Sequence, residues 1–359
     1  MTRSLFNVLF PTPSFLSAPS FGLDISDESL KFVELISANK DIKLGRYGER
    51  KIPLGVIESG KIKDLKKMEE ILTSLKKEEN IKRVRVSLPE EQMYLFEFRL
   101  EKAGIENIRE SIELSLEEYI PISAQDAVFD YEIIEEDERG FHLQVSAIPK
   151  NIIEDYLSVF KDSGIKVQSF ELEAQAIARA ILKKNNKETY MIVDFGEKRT
   201  GIFIVSSGVV VFTSTLDVGG TLLTSMIQKS FKISLEEAEK MKRKYGLERN
   251  AENKELFSVI LNSVSILRDE IMKHFTYWHT HKEGNREHSP IRKIILCGGD
   301  SNLVGFAEYL SVSTKNTIEM ANVWTNIIDT ERYIPEIKFE QSLTYAGAIG
   351  LALGDFEYD

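Results

Sequence analysis

Phe21-Gly22-Leu23-Asp24-Ile25-Ser26-Asp27-Glu28-Ser29-Leu30-Lys31 reads as an apolar strand that ends on an aspartate, turns sharply and resumes as a second β-rich segment. Far along the chain, Met191-Ile192-Val193-Asp194-Phe195-Gly196-Glu197-Lys198-Arg199-Thr200-Gly201 repeats the pattern. Two such hairpins facing each other grip a polyphosphate with backbone N–H groups, while their aspartates face a hydrated Mg²⁺. A third stretch, Ile294-Ile295-Leu296-Cys297-Gly298-Gly299-Asp300, ends a strand on a glycine pair before a helix, where a backbone can approach a ligand closely. No one of the three is specific. Their ordered set points to a nucleotide held within one chain.

The 359 residues suffice for one large or two ordinary domains. A net charge of −11 argues against a nucleic-acid surface, which needs clustered Lys and Arg. The one cysteine, Cys297, excludes an internal disulfide framework and fits a reducing compartment. No apolar run reaches the length of a membrane span, and the start has no secretory signal, so a cytoplasmic location is expected. Residues 1–20 interleave Leu5, Phe6, Phe10 and Phe15 with Pro11, Pro13 and Pro19, and read as a tail packed on its own domain.

Leu65 to Leu75 has helical spacing, and Val84 to Leu88 is a short strand. Residues 93–172 read as an inserted β-α-β-β-α-β module. Its first helix carries the apolar stripe Ile105, Ile108, Ile112, Leu116 and Tyr119. Ala174 to Leu182 and the closing segment Tyr345 to Ala352 are small-residue helices suited to close packing. The chain thus reads as a disguised duplication of sheet, insertion and connecting helix. Four of the five histidines fall between His274 and His288 and read as solvent-facing, not as a metal site.

Three further stretches carry a narrower signal: Glu117-Glu118-Tyr119-Ile120-Pro121-Ile122, Ala147-Ile148-Pro149-Lys150, and Asp217-Val218-Gly219-Gly220 with Glu237-Ala238-Glu239. With them the chain resembles the actin, Hsp70 and sugar-kinase superfamily and, within it, the PilM family of type IV pilus assembly proteins, from Phe21 to Leu353. The resemblance implies an α/β actin-like ATPase fold of duplicated RNase H-like domains with the inserted module. Residues 21–92 would form the first subdomain, completed by 173–188 and 341–354. Residues 189–216 and 291–340 would form the second, and 217–290 a helical nucleotide clamp.

The implied ligands are ATP and Mg²⁺. Gly22, Ser26, Ser29 and Lys31 fall on the first phosphate loop, Gly196 and Thr200 on the second, and Gly219 and Gly220 at a helix entry. Glu239 and Lys242, one helical turn apart, match a pair that grips ribose and adenine; Gly298, Gly299 and Asp300 match the adenosine loop. Asp24 and Asp194 would hold Mg²⁺ through water. Glu173 is the catalytic candidate that would orient water, with Glu171 as the alternative register. No arginine finger is evident, so turnover is expected to be slow at most.

The implied partner is the cytoplasmic N-terminal tail of a bitopic, PilN-like inner-membrane pilus protein. Its groove would lie between the inserted module and its parent subdomain, near Val84 to Leu88 and the helix carrying Glu117, Glu118 and Tyr119, placing the chain at the inner face of the cytoplasmic membrane. Other pilus assembly components and self-association are further expectations. Ser26, Asp27 and Glu28 depart from the family's small residues, and Glu197-Lys198-Arg199 is more charged than usual. Two carboxylates beside a triphosphate repel it unless they point away or meet Mg²⁺. Two alternatives remain: an FtsA-like cell-division homologue, and a small-molecule kinase using Asp126 or Asp130.

Overall fold

A computed structural model of the chain describes residues 20–38, 41–101, 107–138, 140–249, 253–283, 286–327 and 333–356. The tail before Ser20, and Ile105 of the module stripe, lie outside these residues. The chain opens with β1 (Phe21–Ile25), β2 (Ser29–Ala38), β3 (Asp41–Lys51), α1 (Leu65–Glu79) and β4 (Arg83–Leu88). There follow β5 (Tyr94–Glu101), α2 (Ile108–Tyr119), β6 (Ala127–Glu136), β7 (Gly140–Pro149), α3 (Lys150–Ser163) and β8 (Lys166–Leu172). The second part comprises α4 (Glu173–Ile181), β9 (Thr189–Phe195), β10 (Thr200–Ser206), β11 (Val209–Leu216), α5 (Gly220–Phe231), α6 (Leu235–Tyr245) and α7 (Lys254–Thr280). It closes with β12 (Ile291–Cys297), α8 (Phe306–Thr314), β13 (Ile318–Met320) and α9 (Ala346–Leu353).

The duplication is visible in strand order. The first sheet runs β3-β2-β1-β4-β8 and the second β11-β10-β9-β12-β13. In each, three antiparallel strands meander and two parallel strands extend the other side. β1 is buried along its whole length, as a central strand covered on both faces must be, which explains its near-continuous apolar sequence. Local signals set the flanking helices. Asp64 caps α1 by accepting from the Lys67 amide at 2.9 Å, and Ser234 with Glu237 forms a capping box at α6.

The two small-residue helices lie between the sheets. One continuous core contains Val33 and Leu35 of the first sheet, Ile192 and Phe203 of the second, and Ala174, Ile177, Ala346 and Ile349 of α4 and α9. α9 also presses on β1, where a Cβ on Gly22 would overlap the Ala348 carbonyl. Gly22 therefore serves packing and stands back from the cleft.

The inserted module is shorter than expected. Its own sheet is β5-β7-β6, covered by α2 through Ile112 and Leu116. β8 leaves it to pair with β4 in parallel, and α3 buries Ile152, Tyr156, Val159 and Phe160 in the first subdomain's outer core. Residues 94–149 are the insertion; the expected boundary at 172 assigned α3 and β8 to the wrong sheet. Parallel pairing explains the error, because β8's partner lies far back in the sequence.

Where α4 and α9 cross, a Cβ on Gly350 would overlap the Ala176 carbonyl, and Ala176 is fully buried. Gly350→Ala is expected to force the helices apart and cost about 1–3 kcal/mol. A chemical-denaturation midpoint equal to that of the unaltered chain would contradict this packing.

Candidate functional site

Asp24 ends β1 directly opposite Lys31 of β2. The Ser87 hydroxyl donates to Asp24 Oδ1 at 2.8 Å and accepts from the Ile25 amide at 3.0 Å, so β4 fixes the aspartate's aim. α9 begins against the same carboxylate: a Cβ on Gly347 would lie 2.8 Å from Asp24 Oδ2. The turn that follows is self-bonded, with the Ser29 amide donating to Ser26 Oγ at 3.2 Å and Lys31 Nζ donating to Ser29 Oγ at 3.0 Å.

Asp194 is the counterpart in the second half. It pairs with Gly201 across the hairpin and with Cys297 of β12. Gly298 follows with φ +85°, pressed against Asp194 and the Phe195 carbonyl, so both space and backbone require glycine there. Burial, then the Asp24 charge, push the Asp194 carboxyl up to about 6, and Lys31 opposes. Glu173, first residue of α4, is raised well above the usual carboxylate range by burial and by Asp24, Asp194 and Glu90. Asp24 and Glu173 thus meet Asp194 of the other half around one lysine, and the cluster lacks positive charge. A hydrated divalent cation fits that deficit. Among the described residues no His, Cys, Asp or Glu set is arranged to grip a metal directly.

Glu171, the alternative register, lies in different surroundings from Glu173. Glu171 bonds Arg85 at 2.9 Å and Arg179 at 2.7 Å, and Arg85 also binds Asp355 at 2.8 Å. Burial opposes, but Arg179, Ser169 and Arg85 together hold Glu171 below its ordinary value. It belongs to an ion network behind β4, whereas Glu173 faces the cluster.

Glu90 escaped the sequence reading. It lies in the short 3₁₀ turn Glu90–Gln92 after β4, buried, with Oε1 accepting from the Ala174 amide at 2.8 Å. It thereby caps the helix that begins with Glu173. Its only sequence signal is a Pro-Glu-Glu-Gln run at a strand end, which any exposed turn also shows.

The remaining expected residues form a second cluster. Lys242 is buried, and its Nζ donates to Asp300 Oδ1 at 2.7 Å and to the Gly220 carbonyl at 3.2 Å, with Glu239 at 3.0 Å. Burial opposes, but Thr224, Arg243 and Lys242 hold the Glu239 carboxyl down to about 2. Lys242 thus ties α6 to the turn after β12, where Gly299 meets Thr344, while Glu239 stays partly exposed. The expected anion site at Gly219 and Gly220 is filled from within. The Gly220 and Thr221 amides donate to the Gly196 and Glu197 carbonyls at 3.1 and 2.8 Å, and the Asp300 carboxylate lies on Gly220. Thr200 is fully buried and donates to the Val218 carbonyl at 2.6 Å, so it does not join the cleft-facing groups.

Asp27 and Glu28 point away from the carboxylate cluster. Asp27 accepts from the Ser59 and Gly60 amides, both at 3.0 Å, and meets Arg199 at 3.0 Å; Glu28 meets Lys198 at 2.8 Å. Asp126 and Asp130 are exposed on the module, removed from both hairpins. His279 and His281 are exposed as expected, with His279 Nε2 accepting from the Ile291 amide at 3.3 Å, whereas His274 is half-buried, its ring tilted 47° to that of Phe212.

A groove of about 280 Å³ lies between the module and the second sheet, lined by Met93, Tyr94, Leu95, Phe96, Tyr119, Val211, Phe212 and Thr213. Its walls are two sheet edges, β5 and β11. The expected lining by Val84 to Leu88 is corrected: β4 is paired on both sides, by β1 and β8, and buried from Val84 onward.

Two sheets of one strand order, closed on paired aspartates and joined by small-residue helices, define an actin-like protein. The chain belongs to the type IV pilus assembly protein PilM family, whose pattern matches residues 22–356. A solved PilM-PilN type IV pilus biogenesis complex contains a chain of the same fold, with TM-score 0.77 and 21% identity over 95% of this chain and 99% of that one. The ethanolamine utilization protein EutJ of Carboxydothermus hydrogenoformans aligns at TM-score 0.55 and 16% identity, over 96% and 91% of the two chains. An MreB protein of Spiroplasma citri bound to AMPPNP aligns at 0.55 and 14%, over 95% and 96%. The cell division protein FtsA of Neisseria meningitidis is 31% identical over 85 residues, 23% of this chain and 20% of that relative.

Burial and the Asp194 charge, opposed by the Ala174 amide, raise the Glu90 carboxyl from 4.5 to about 7. A folded acid with a raised pKa takes up protons on folding, so stability falls as pH rises from about 4.5 to 7 and stays lowered above. Glu90→Gln removes that penalty. The variant should match the unaltered chain near the acid end and exceed it above the window, by on the order of 1–3 kcal/mol. Parallel pH profiles in thermal unfolding would count against an ionisable Glu90 in this cluster.

Proposed function

We propose that this chain is an ATP- and Mg²⁺-binding scaffold of the type IV pilus assembly platform that receives the cytoplasmic tail of a bitopic, PilN-like inner-membrane protein. The observation that carries the nucleotide reading is the convergence of Asp24, Asp194 and Glu173 on Lys31 between matched hairpins. Asp24 and Asp194 would hold the hydrated ion, and the backbone of the Ser26–Ser29 turn would meet phosphate oxygens. Mg²⁺ would supply the charge that the cluster lacks. The MreB structure with AMPPNP supports nucleotide binding within this fold.

The partner reading rests on the groove. Two unpaired strand edges offer backbone bonds to an extended segment, while Leu95, Phe96, Tyr119 and Phe212 offer apolar pockets. That the related PilM chain was solved in a complex with PilN favours this occupant. Among the described residues no helix is long and apolar enough to cross a membrane, so attachment at the inner face would come through the partner. The scaffold reading also fits the exposed positions of Asp126 and Asp130 on the module.

Calorimetry on protein stripped of nucleotide should detect Mg²⁺-dependent ATP binding, weakened at least about tenfold by Asp194→Ala. Turnover should stay below the ~1–100 per second of kinases. The nucleotide reading fails if the unaltered chain binds no ATP.

A fluorescent peptide of the partner tail should bind the intact chain, and Tyr119→Ala should weaken it by roughly tenfold through loss of the ring that stacks on Phe96 at 4.6 Å. Undiminished binding by that variant would place the tail elsewhere.

A further inference from the structure

The two hairpins differ in one respect that their shared pattern hides. The first carries two anions, Asp27 and Glu28, and the second carries two cations, Lys198 and Arg199, beside Glu197, whose carboxyl burial and then the Glu28 charge push up. They meet across the cleft, Lys198 Nζ 2.8 Å from Glu28 Oε1 and Arg199 Nη2 3.0 Å from Asp27 Oδ2. Arg199 Nη1 also pairs with Glu91, and Nε lies 3.4 Å from the exposed Asp217 of its own half. These are not loose surface contacts: the Asp27 side chain is only 11% exposed and that of Arg199 only 23%. Asp27 is aimed in advance by the Ser59 and Gly60 amides, so Arg199 meets a carboxylate already in place.

Glu91 extends the contact to the groove. The turn Glu90–Gln92 is held at three points: Glu90 on the Ala174 amide, Glu91 on Arg199, and Gln92 Nε2 on the Ser59 carbonyl at 2.8 Å. Met93 to Phe96, one wall of the groove, follows this turn directly, and the other wall belongs to the half that carries Arg199. A change in the angle between the halves therefore moves one groove wall against the other.

We propose that Lys198 and Arg199, with Asp27, Glu28 and Glu91, form an ionic clasp that holds the two halves closed by the chain's own charges and sets the width of the partner groove. The clasp needs no ligand, because both signs of charge are built into the hairpins. Closure then has a component that nucleotide does not control and that salt weakens, since partly exposed pairs are screened. Only the groove half of the proposal rests on the partner reading above.

The test uses the full chain, free of nucleotide, with spin labels at Lys66→Cys and Glu236→Cys, both exposed positions, one in each half; the native Cys297 is buried and stays unlabelled. The unaltered clasp should give one narrow distance distribution at low salt. Lys198→Glu combined with Arg199→Gln should lengthen or broaden it and weaken the tail peptide at least tenfold. Lys198→Glu alone should broaden it in part, and adding Glu28→Lys should restore it by exchanging the two charges. An unchanged distribution in the double variant overturns the clasp. So does failure of the charge exchange to restore it, because that outcome marks damage to the fold and not loss of a charge pair. Broadening with unaltered peptide affinity overturns the link to the groove. If the unaltered chain binds no tail peptide, the partner reading fails and the distance measurements still decide the clasp.

Discussion

Everything in this molecule is spaced by the contact of α4 with α9. The helices are made of residues too small to hold them apart, and at Gly350 the backbone of one rests on the backbone of the other. Arg179 strengthens the crossing by donating from α4 to the Gly350 carbonyl at 2.9 Å. Because each sheet packs against this pair, the crossing fixes how far apart the sheets stand. It also fixes what lies between them. α4 begins with Glu173 and α9 begins beside Asp24, so both helices deliver their first turns to the carboxylate cluster. Close packing and cleft chemistry are one constraint here.

Charge is arranged around that centre in layers of different character. Innermost, burial first and neighbouring carboxylates second raise Glu90, Glu173 and Asp194, with Lys31 opposing at Glu173 and Asp194. Beside the turn after β12, buried Lys242 gathers Asp300 and Glu239 by ion pairs at 2.7 and 3.0 Å. At the mouth the hairpins bring opposite signs together. The inner layer thus gathers buried carboxylates around a single lysine, Lys31.

Much of this was legible in the sequence, and what was not has a physical reason. The paired strand-Asp turns, the Gly298 turn and the small-residue helices are local patterns, and local backbone geometry produces them. The role of Asp27 and Glu28 was not legible. Taken alone they are anions beside a phosphate loop, and their partners stand some 170 residues away, where Lys198 and Arg199 looked equally out of place. Glu91 and Glu90 were hidden in the same way, because a short acidic turn gives no sign that one carboxylate caps a distant helix. The glycine pair at 219 and 220 suggested an anion, but the amides of Gly220 and Thr221 meet backbone carbonyls of the second hairpin, and Asp300 lies against Gly220. The module's far boundary was misplaced because β8 pairs with a strand from before the insertion.

The shared strand order of the two halves raises a question of identity. A chain built from similar lobes risks joining a lobe to its own copy in a neighbour, since matching shapes permit the exchange. The unlike turns guard against it. Two first lobes brought mouth to mouth would set Asp27 and Glu28 against a second Asp27 and Glu28, and two second lobes would oppose lysine and arginine with the same cations. Only unlike lobes attract, and within one chain the linking helices keep them always within reach. The sign of charge at the turn works as a label that tells each lobe from its twin, where the architecture alone does not.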